Sequence, residues 1–169
     1  MELLEGVFSR RSIRRYTGEE LTEEQIQLLL KAAMQAPSAV NCQPWHFLVF
    51  TSREKMIEVT EVHPYAQMLK EAACAILVLG DTKLEHAPGY WAVDCAAATE
   101  NILLAAHGIG IGAVWIGIHP RVERRSIFKK LFLLPDHIQP FALISIGYPA
   151  EKKPVEERYK KERVHINKW

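Results

Sequence analysis

Between Ser9 and Tyr16 the chain places four arginines (Arg10, Arg11, Arg14, Arg15) and two serine hydroxyls (Ser9, Ser12) within eight residues. A guanidinium is a planar fork of donors that matches two oxygens of a phosphate at once, and a serine hydroxyl fills a remaining lone pair. The run can therefore bind a phosphate, although a solvated basic surface would use the same residues. A second unusual segment, Ala36-Pro37-Ser38-Ala39-Val40-Asn41-Cys42-Gln43-Pro44-Trp45-His46, gathers amide and hydroxyl groups between two prolines. Such a loop either presents polar groups to a ligand or simply turns the chain, with Asn41 capping the turn. A third, Gly108-Ile109-Gly110-Ile111-Gly112-Ala113-Val114-Trp115-Ile116-Gly117, interleaves glycine with apolar residues. Glycine there allows a ligand to approach the backbone closely. The spacing is not G-x-G-x-x-G, and a strand follows where a dinucleotide fingerprint needs a helix, so that reading is rejected.

These segments need elements to hold them. Leu3, Leu4, Val7 and Phe8 have helical spacing and lead into the arginines. Thr22 is placed as an N-cap with Gln25 as its capping-box partner and Leu21 and Ile26 as a hydrophobic staple. The stripe Ile26, Leu29, Leu30, Ala33 then runs to Ala36, where Pro37 stops it. His46 to Thr51 reads as a strand, Arg53 to Val62 as a surface helix, and Cys74 to Gly80 as a strand buried on both faces. Trp91 to His107 is alanine-rich and apolar nearly all round, which predicts a central buried helix ended by Gly108-Ile109-Gly110. Ile111 to Gly117 and Phe141 to Gly147 complete the strands, with a helix from Arg121 to Phe132 between them. Helices alternate with strands throughout, so a mixed α/β or α+β sandwich is expected.

Tyr148 to Trp169 is different, being charged, broken by Pro149 and Pro154, and poor in apolar residues. Left alone it would be disordered, yet it carries Tyr159, Val164, Ile166 and Trp169. That pattern predicts a tail wrapped over something, with a partner subunit as the simplest choice.

Composition narrows the functional classes. The 169 residues fit one domain, and 21 Lys plus Arg nearly balance 20 Asp plus Glu, so no nucleic-acid partner is expected. Three cysteines at wide spacing (Cys42, Cys74, Cys95) make neither a disulfide framework nor a zinc site, and the seven histidines show no ligand spacing. No metal is expected. The N-terminal segment has no signal-peptide pattern and no apolar stretch is long enough to span a membrane, so a cytoplasmic location is expected.

In order along the chain, Arg10-Arg11-Ser12-Ile13-Arg14, the Ala36 to Trp45 loop, Gly110 to Gly117 and Arg163-Val164-His165 resemble the FMN-dependent nitroreductase family in a short form. The resemblance implies an α+β fold: a three-layer sandwich in which helices flank a mixed, mostly antiparallel sheet. It further implies an obligate homodimer with FMN at the interface, built from a single domain over 1–169 whose extension, 148–169, wraps the partner. Carried over by position, Arg10 and Ser12 contact the FMN phosphate and ribityl, and Arg11 lies beside the ring. Pro37, Ser38 and Ala39 pack on the flavin from the other subunit, with Asn41 and Gln43 supplying amides and Cys42 a bystander. Gln67 is the one residue of its segment able to replace a lost amide contact. Trp115, Ile116 and Gly117 line the ring, while Lys161 and Arg163 reach the phosphate. The catalytic positions are Arg14, near the N1/O2 edge, and Gly117, whose backbone N–H faces N5.

The implied activity is NADH- or NADPH-driven reduction of nitroaromatics, quinones or related acceptors by a ping-pong hydride mechanism. A flavoprotein of the same fold with specialised chemistry (dehalogenation or flavin breakdown) and a flavin carrier or sensor are the alternatives. Asp81 to Trp91 is too short for the helical cover of larger members, so the pocket is expected to be more open, or lidded by Tyr90 and Trp91. Trp91 and Asp94 otherwise read as core packing and a satisfied polar residue.

Overall fold

The computed structural model describes residues 2–169. Its elements run α1 (Leu3–Ser9), α2 (Glu23–Met34), β1 (Trp45–Phe50), α3 (Arg53–Val62), β2 (Cys74–Asp81), α4 (Tyr90–Gly108), β3 (Gly112–Gly117), α5 (Val122–Leu131) and β4 (Ile138–Gly147). The four strands form one sheet in the order β1-β2-β4-β3, every neighbouring pair antiparallel. The parallel contribution is a single bridge from Ser12 to Ala113 on the outer edge of β3.

Alternation along the strands builds three layers. Cys74, Ile76 and Val78 of β2 join Leu29 and Ala33 of α2 and Cys95, Ala98 and Ile102 of α4 in one core. Ala75, Leu77 and Leu79 face the opposite way, against Met56 and Val59 of α3 and Phe128 of α5. Because β2 is buried on both faces, it reads as an unbroken apolar run. Pro140 lacks an N–H, and β4 accommodates it at a register shift opposite Val78 and Leu79, beyond the part of β4 paired with β3.

The expected capping box is present: Thr22 Oγ1 accepts from Gln25 N–H at 3.2 Å and Gln25 Oε1 accepts from Thr22 N–H at 2.9 Å. Helix α4 runs through the middle of its layer, and its Trp91 ring lies against Gly80, where a Cβ would sit 2.3 Å from Trp91 Cε3. Trp91 is thus wedged into the core, with His119 at 4.9 Å and Phe141 at 6.2 Å between ring centres. It is no lid, which corrects that expectation; Tyr90 beside it is half exposed.

The tail leaves β4 as an antiparallel bridge of Pro149 to Tyr16, held by Ala150 N–H to Arg15 O at 2.8 Å. Beyond Glu151 every residue is exposed, and a short 3-10 turn at Lys161–Arg163 is its only regular structure. Among the described residues no helix is long and apolar enough to cross a membrane.

Candidate active site

The outer edge of β3 decides what the third motif can do. Ile13 N–H donates to Ala113 O at 3.0 Å from outside the sheet. Backbone groups of alternate strand residues share a side, so Ala113, Trp115 and Gly117 all direct their N–H and C=O away from β4. Opposite that edge lies a cleft of about 240 Å³ lined by Arg14, His63, Tyr65, Met68, Val114 to Gly117 and Arg124. Two of its lining side chains are guanidiniums and none is a carboxylate. Among the described residues no hydrogen bond or ion pair holds the Arg14 guanidinium; its backbone N–H donates to Glu151 Oε1 at 2.6 Å.

Gly117 is the informative glycine. Gly80, Gly112 and Gly147 are required by Trp91, Ile13 and Tyr16 respectively, whose atoms a Cβ would meet at 2.3, 2.7 and 3.0 Å. Gly18, Gly89 and Gly110 have positive φ. Gly117 has neither reason, because its φ is ordinary and no atom lies within 4 Å of a Cβ built there. It leaves open space beside an outward N–H and a free cation, which fits a flat ring with an acceptor at its edge.

Two neighbours absent from the sequence reading hold this edge. Arg124 Nη1 donates to Gly117 O at 2.8 Å, and His63 Nε2 lies 3.3 Å from the same oxygen. The carbonyl can only accept, so Nε2 carries the proton and Nδ1 accepts from Tyr65 N–H at 3.3 Å. Burial is the main cause that lowers the His63 pKa, countered by the bond to Gly117 and reinforced by the Arg124 charge. The ring is neutral in this arrangement. His63 stood in the sequence as one histidine among seven without ligand spacing, and Arg124 as one charge on an amphipathic helix. Nothing in one dimension links 63, 117 and 124.

The second motif forms a tight loop at the start of β1. Ser38 Oγ accepts from Gln43 N–H at 2.9 Å, and Asn41 Oδ1 accepts from Gln43 Nε2 at 3.0 Å. Val40, Asn41 and Gln43 all have positive φ, between 49° and 56°. Such conformations persist in non-glycine residues only where surrounding contacts impose them. One such contact is Ala39 N–H to Asp94 Oδ1 at 2.9 Å. Asp94 is buried and its other oxygen, Oδ2, has no partner among the described residues, so Asp94 is only half satisfied. Cys42 is a free, half-buried thiol; burial pushes Cys74 and Cys95 up to about 12.

The arginine motif divides. Arg10 pairs with Glu100 of α4 at 3.3 Å. Arg11 is committed to backbone: Nε donates to Pro154 O at 3.0 Å and Nη1 to Phe8 O and Arg10 O at 3.0 and 2.6 Å. It thereby anchors the tail beside α1, and Arg10 and Arg11 together with Val7, Phe8 and Tyr159 line a groove of about 700 Å³. Ser12 forms the bridge to Ala113. Ser9 Oγ donates to Glu5 O at 2.6 Å and lies 2.7 Å from His107 Nε2, which must donate to it. Burial and the Arg10 and Arg11 charges lower the His107 pKa.

Within one chain the expected residues thus fall into separate patches. Arg14, Trp115, Ile116 and Gly117 share the cleft. Pro37, Ser38, Ala39, Asn41 and Gln43 share the strained loop, and Arg10 and Arg11 lie at the root of the tail. Gln67 is exposed, its amide donating to Thr60 O at 2.9 Å, and Lys161 and Arg163 lie exposed in the tail. No group of three His, Cys, Asp or Glu among the described residues is placed to hold a metal ion.

A family model described as the nitroreductase family matches residues 7–87 and 57–148, spanning all of these patches except the distal tail. The chain belongs to the nitroreductase family. It is 47% identical over 169 residues to a Methanothermobacter thermautotrophicus protein provisionally named an NADH dehydrogenase/NAD(P)H nitroreductase, covering 100% of this chain and 88% of that protein. The crystal structure of a Parabacteroides distasonis protein with the same provisional name matches at a TM-score of 0.94 and 40% identity, covering 99% of this chain and 98% of that one. A Desulfovibrio desulfuricans protein, provisionally a nitroreductase and crystallised with FMN, matches at 0.87 and 30% identity, covering 100% and 98%. Its fold is therefore the three-layer nitroreductase sandwich, and members named for NAD(P)H-dependent reduction set the class as oxidoreductase.

Proposed function

We propose that this nitroreductase-family chain is an FMN-dependent oxidoreductase that uses NADH or NADPH to reduce nitroaromatic, quinone or related acceptors. The observation that carries the reading is the edge of β3: an outward Gly117 N–H with open space beside it, facing a cleft that holds the Arg14 guanidinium and no carboxylate. FMN bound there supplies hydride acceptance and onward electron delivery, in alternation between nicotinamide and acceptor.

The chain's own residues do the rest. Gly117 N–H donates toward N5, and Trp115 and Ile116 line the ring. Arg14 places a cation at the N1/O2 edge, where preorganised positive charge favours the reduced ring. Gln67 offers its amide oxygen, since its nitrogen is held by Thr60. Arg10 and Ser12, with Lys161 and Arg163 of the tail, hold the phosphate and ribityl, and Arg11 keeps the tail root in place. Pro37, Ser38, Ala39, Asn41 and Gln43 come from a second copy.

A homodimer is part of this proposal. Leu3, Leu4 and Phe8 on α1 are 77%, 65% and 66% exposed, and Ile166 and Trp169 in the tail 77% and 99%. Two copies exchanging tails over α1 would cover these apolar surfaces and bring the separate patches together. On this reading 1–169 is one FMN-binding domain working in the cytoplasm.

An absorbance spectrum followed by anaerobic addition of NADH and then NADPH tests the proposal. Flavin bands that bleach support it; a protein that neither carries nor takes up FMN overturns it. Arg10→Ala and Arg163→Ala each remove a charge-assisted contact of about 1.5–3 kcal/mol. That corresponds to roughly 10- to 150-fold weaker FMN binding. Unchanged flavin content in both variants would refute the phosphate assignment.

A further inference from the structure

Gly117 is the residue of β3 with the least side-chain restraint, yet its carbonyl is gripped from two elements at once. Arg124 Nη1 reaches it at 2.8 Å from α5, and His63 Nε2 at 3.3 Å from the segment after α3. Both grips are themselves fixed. The His63 ring is 1% exposed, receives Tyr65 N–H on Nδ1, and meets the Phe128 ring edge-on at 6.0 Å and 77°. The Arg124 guanidinium lies over the Tyr65 ring, 5.4 Å from its centre.

We infer that His63 and Arg124 form a clamp on the Gly117 carbonyl and are positioning residues that aim the Gly117 N–H into the cleft. A strand residue's N–H and C=O point the same way, so holding one sets the direction of the other. A glycine without the clamp would have φ and ψ free to swing, and a donor must already be aligned if it is to stabilise charge without reorganising. The inference rests on the reading that FMN sits at this edge and adds what holds the donor there.

The chain has nine glycines, so glycine-selective 15N labelling gives a sparse amide spectrum in which Gly117→Ala identifies one signal. Full-length protein stripped of flavin is titrated with FMN, and the shift of the Gly117 signal is followed. In the wild-type chain the signal moves. His63→Asn, which leaves nothing at the Nε2 position, and Arg124→Ala each reduce that movement by more than half. His63→Gln, whose amide reaches the Nε2 position, restores it. Unchanged Gly80 and Gly147 signals report that the core is intact. Should His63→Asn fail to fold, the half-exposed Arg124→Ala decides. A wild-type Gly117 signal indifferent to FMN overturns the placement of FMN and the clamp with it. A signal that moves equally in the wild-type chain and both variants overturns the clamp alone.

Discussion

Gly80→Ala adds one methyl where β2 meets α4, and the structure sets its consequence. The new Cβ would lie 2.3 Å from Trp91 Cε3 and 3.1 Å from Cδ2 and Cζ3. Carbon atoms at rest sit about 3.5–4.0 Å apart, so the indole must retreat by roughly 1.2 Å or more. It has little room to do so, being 6% exposed and faced by His119 and Phe141. Overpacking of this kind costs about 1–3 kcal/mol, and a rigid ring places the site toward the upper end. Replacing glycine also removes freedom from the unfolded chain, which returns about 0.4–1 kcal/mol. The net loss is therefore about 1–2.5 kcal/mol, a fall in Tm of roughly 2–10 °C for a chain of this size. Gly108→Ala is the matched control, since no atom lies within 4 Å of its Cβ position and its φ is ordinary; it should raise stability slightly. Circular-dichroism melts at one protein concentration measure both, and the Trp91→Leu background should remove most of the Gly80→Ala loss. Equal melting of Gly80→Ala and the wild-type chain, or the same loss with and without Trp91, would refute the reasoning.

Acid should weaken the fold before carboxylates titrate. His63, His107 and His119 all have pKa values lowered from 6.5, burial being the main cause in each, with Arg10 and Arg11 adding to it at His107 and Arg125 at His119. A depressed histidine prefers its neutral form in the folded state, so its stabilisation is complete above 6.5 and is lost as pH falls through the folded value. Tm measured from pH 7.5 down to 5 should fall, with part of the slope removed in His107→Gln; a flat profile contradicts this. Tyr16→Phe should lower stability by about 1–3 kcal/mol in chemical denaturation. The buried hydroxyl shares its single proton between Ile13 O at 2.8 Å and Ser145 O at 3.0 Å, and phenylalanine deletes that hydrogen bond. An unchanged denaturation midpoint would show that these contacts contribute nothing.

Local chemistry wrote most of the element boundaries into the sequence. Thr22 and Gln25 can satisfy each other's orphan N–H groups without reference to the rest of the molecule, and Pro37 cannot continue a helix wherever it lies. The period of apolar residues likewise marked α2, because a face that must leave water repeats at the pitch of its element, while runs apolar on every side marked the buried β2 and α4. The order of the three motifs was also legible, and with it the family. Contacts between residues far apart in the chain were not. That Arg11 holds the tail, that Trp91 fills the space left by Gly80 rather than covering a pocket, and that His63 and Arg124 meet at one carbonyl all depend on how sheet and helices stack. A side chain's partner across 50 or 100 residues is set by strand order and layer geometry, which carry no local signature; residue types alone describe what each group can do, and only the packed fold decides what it meets.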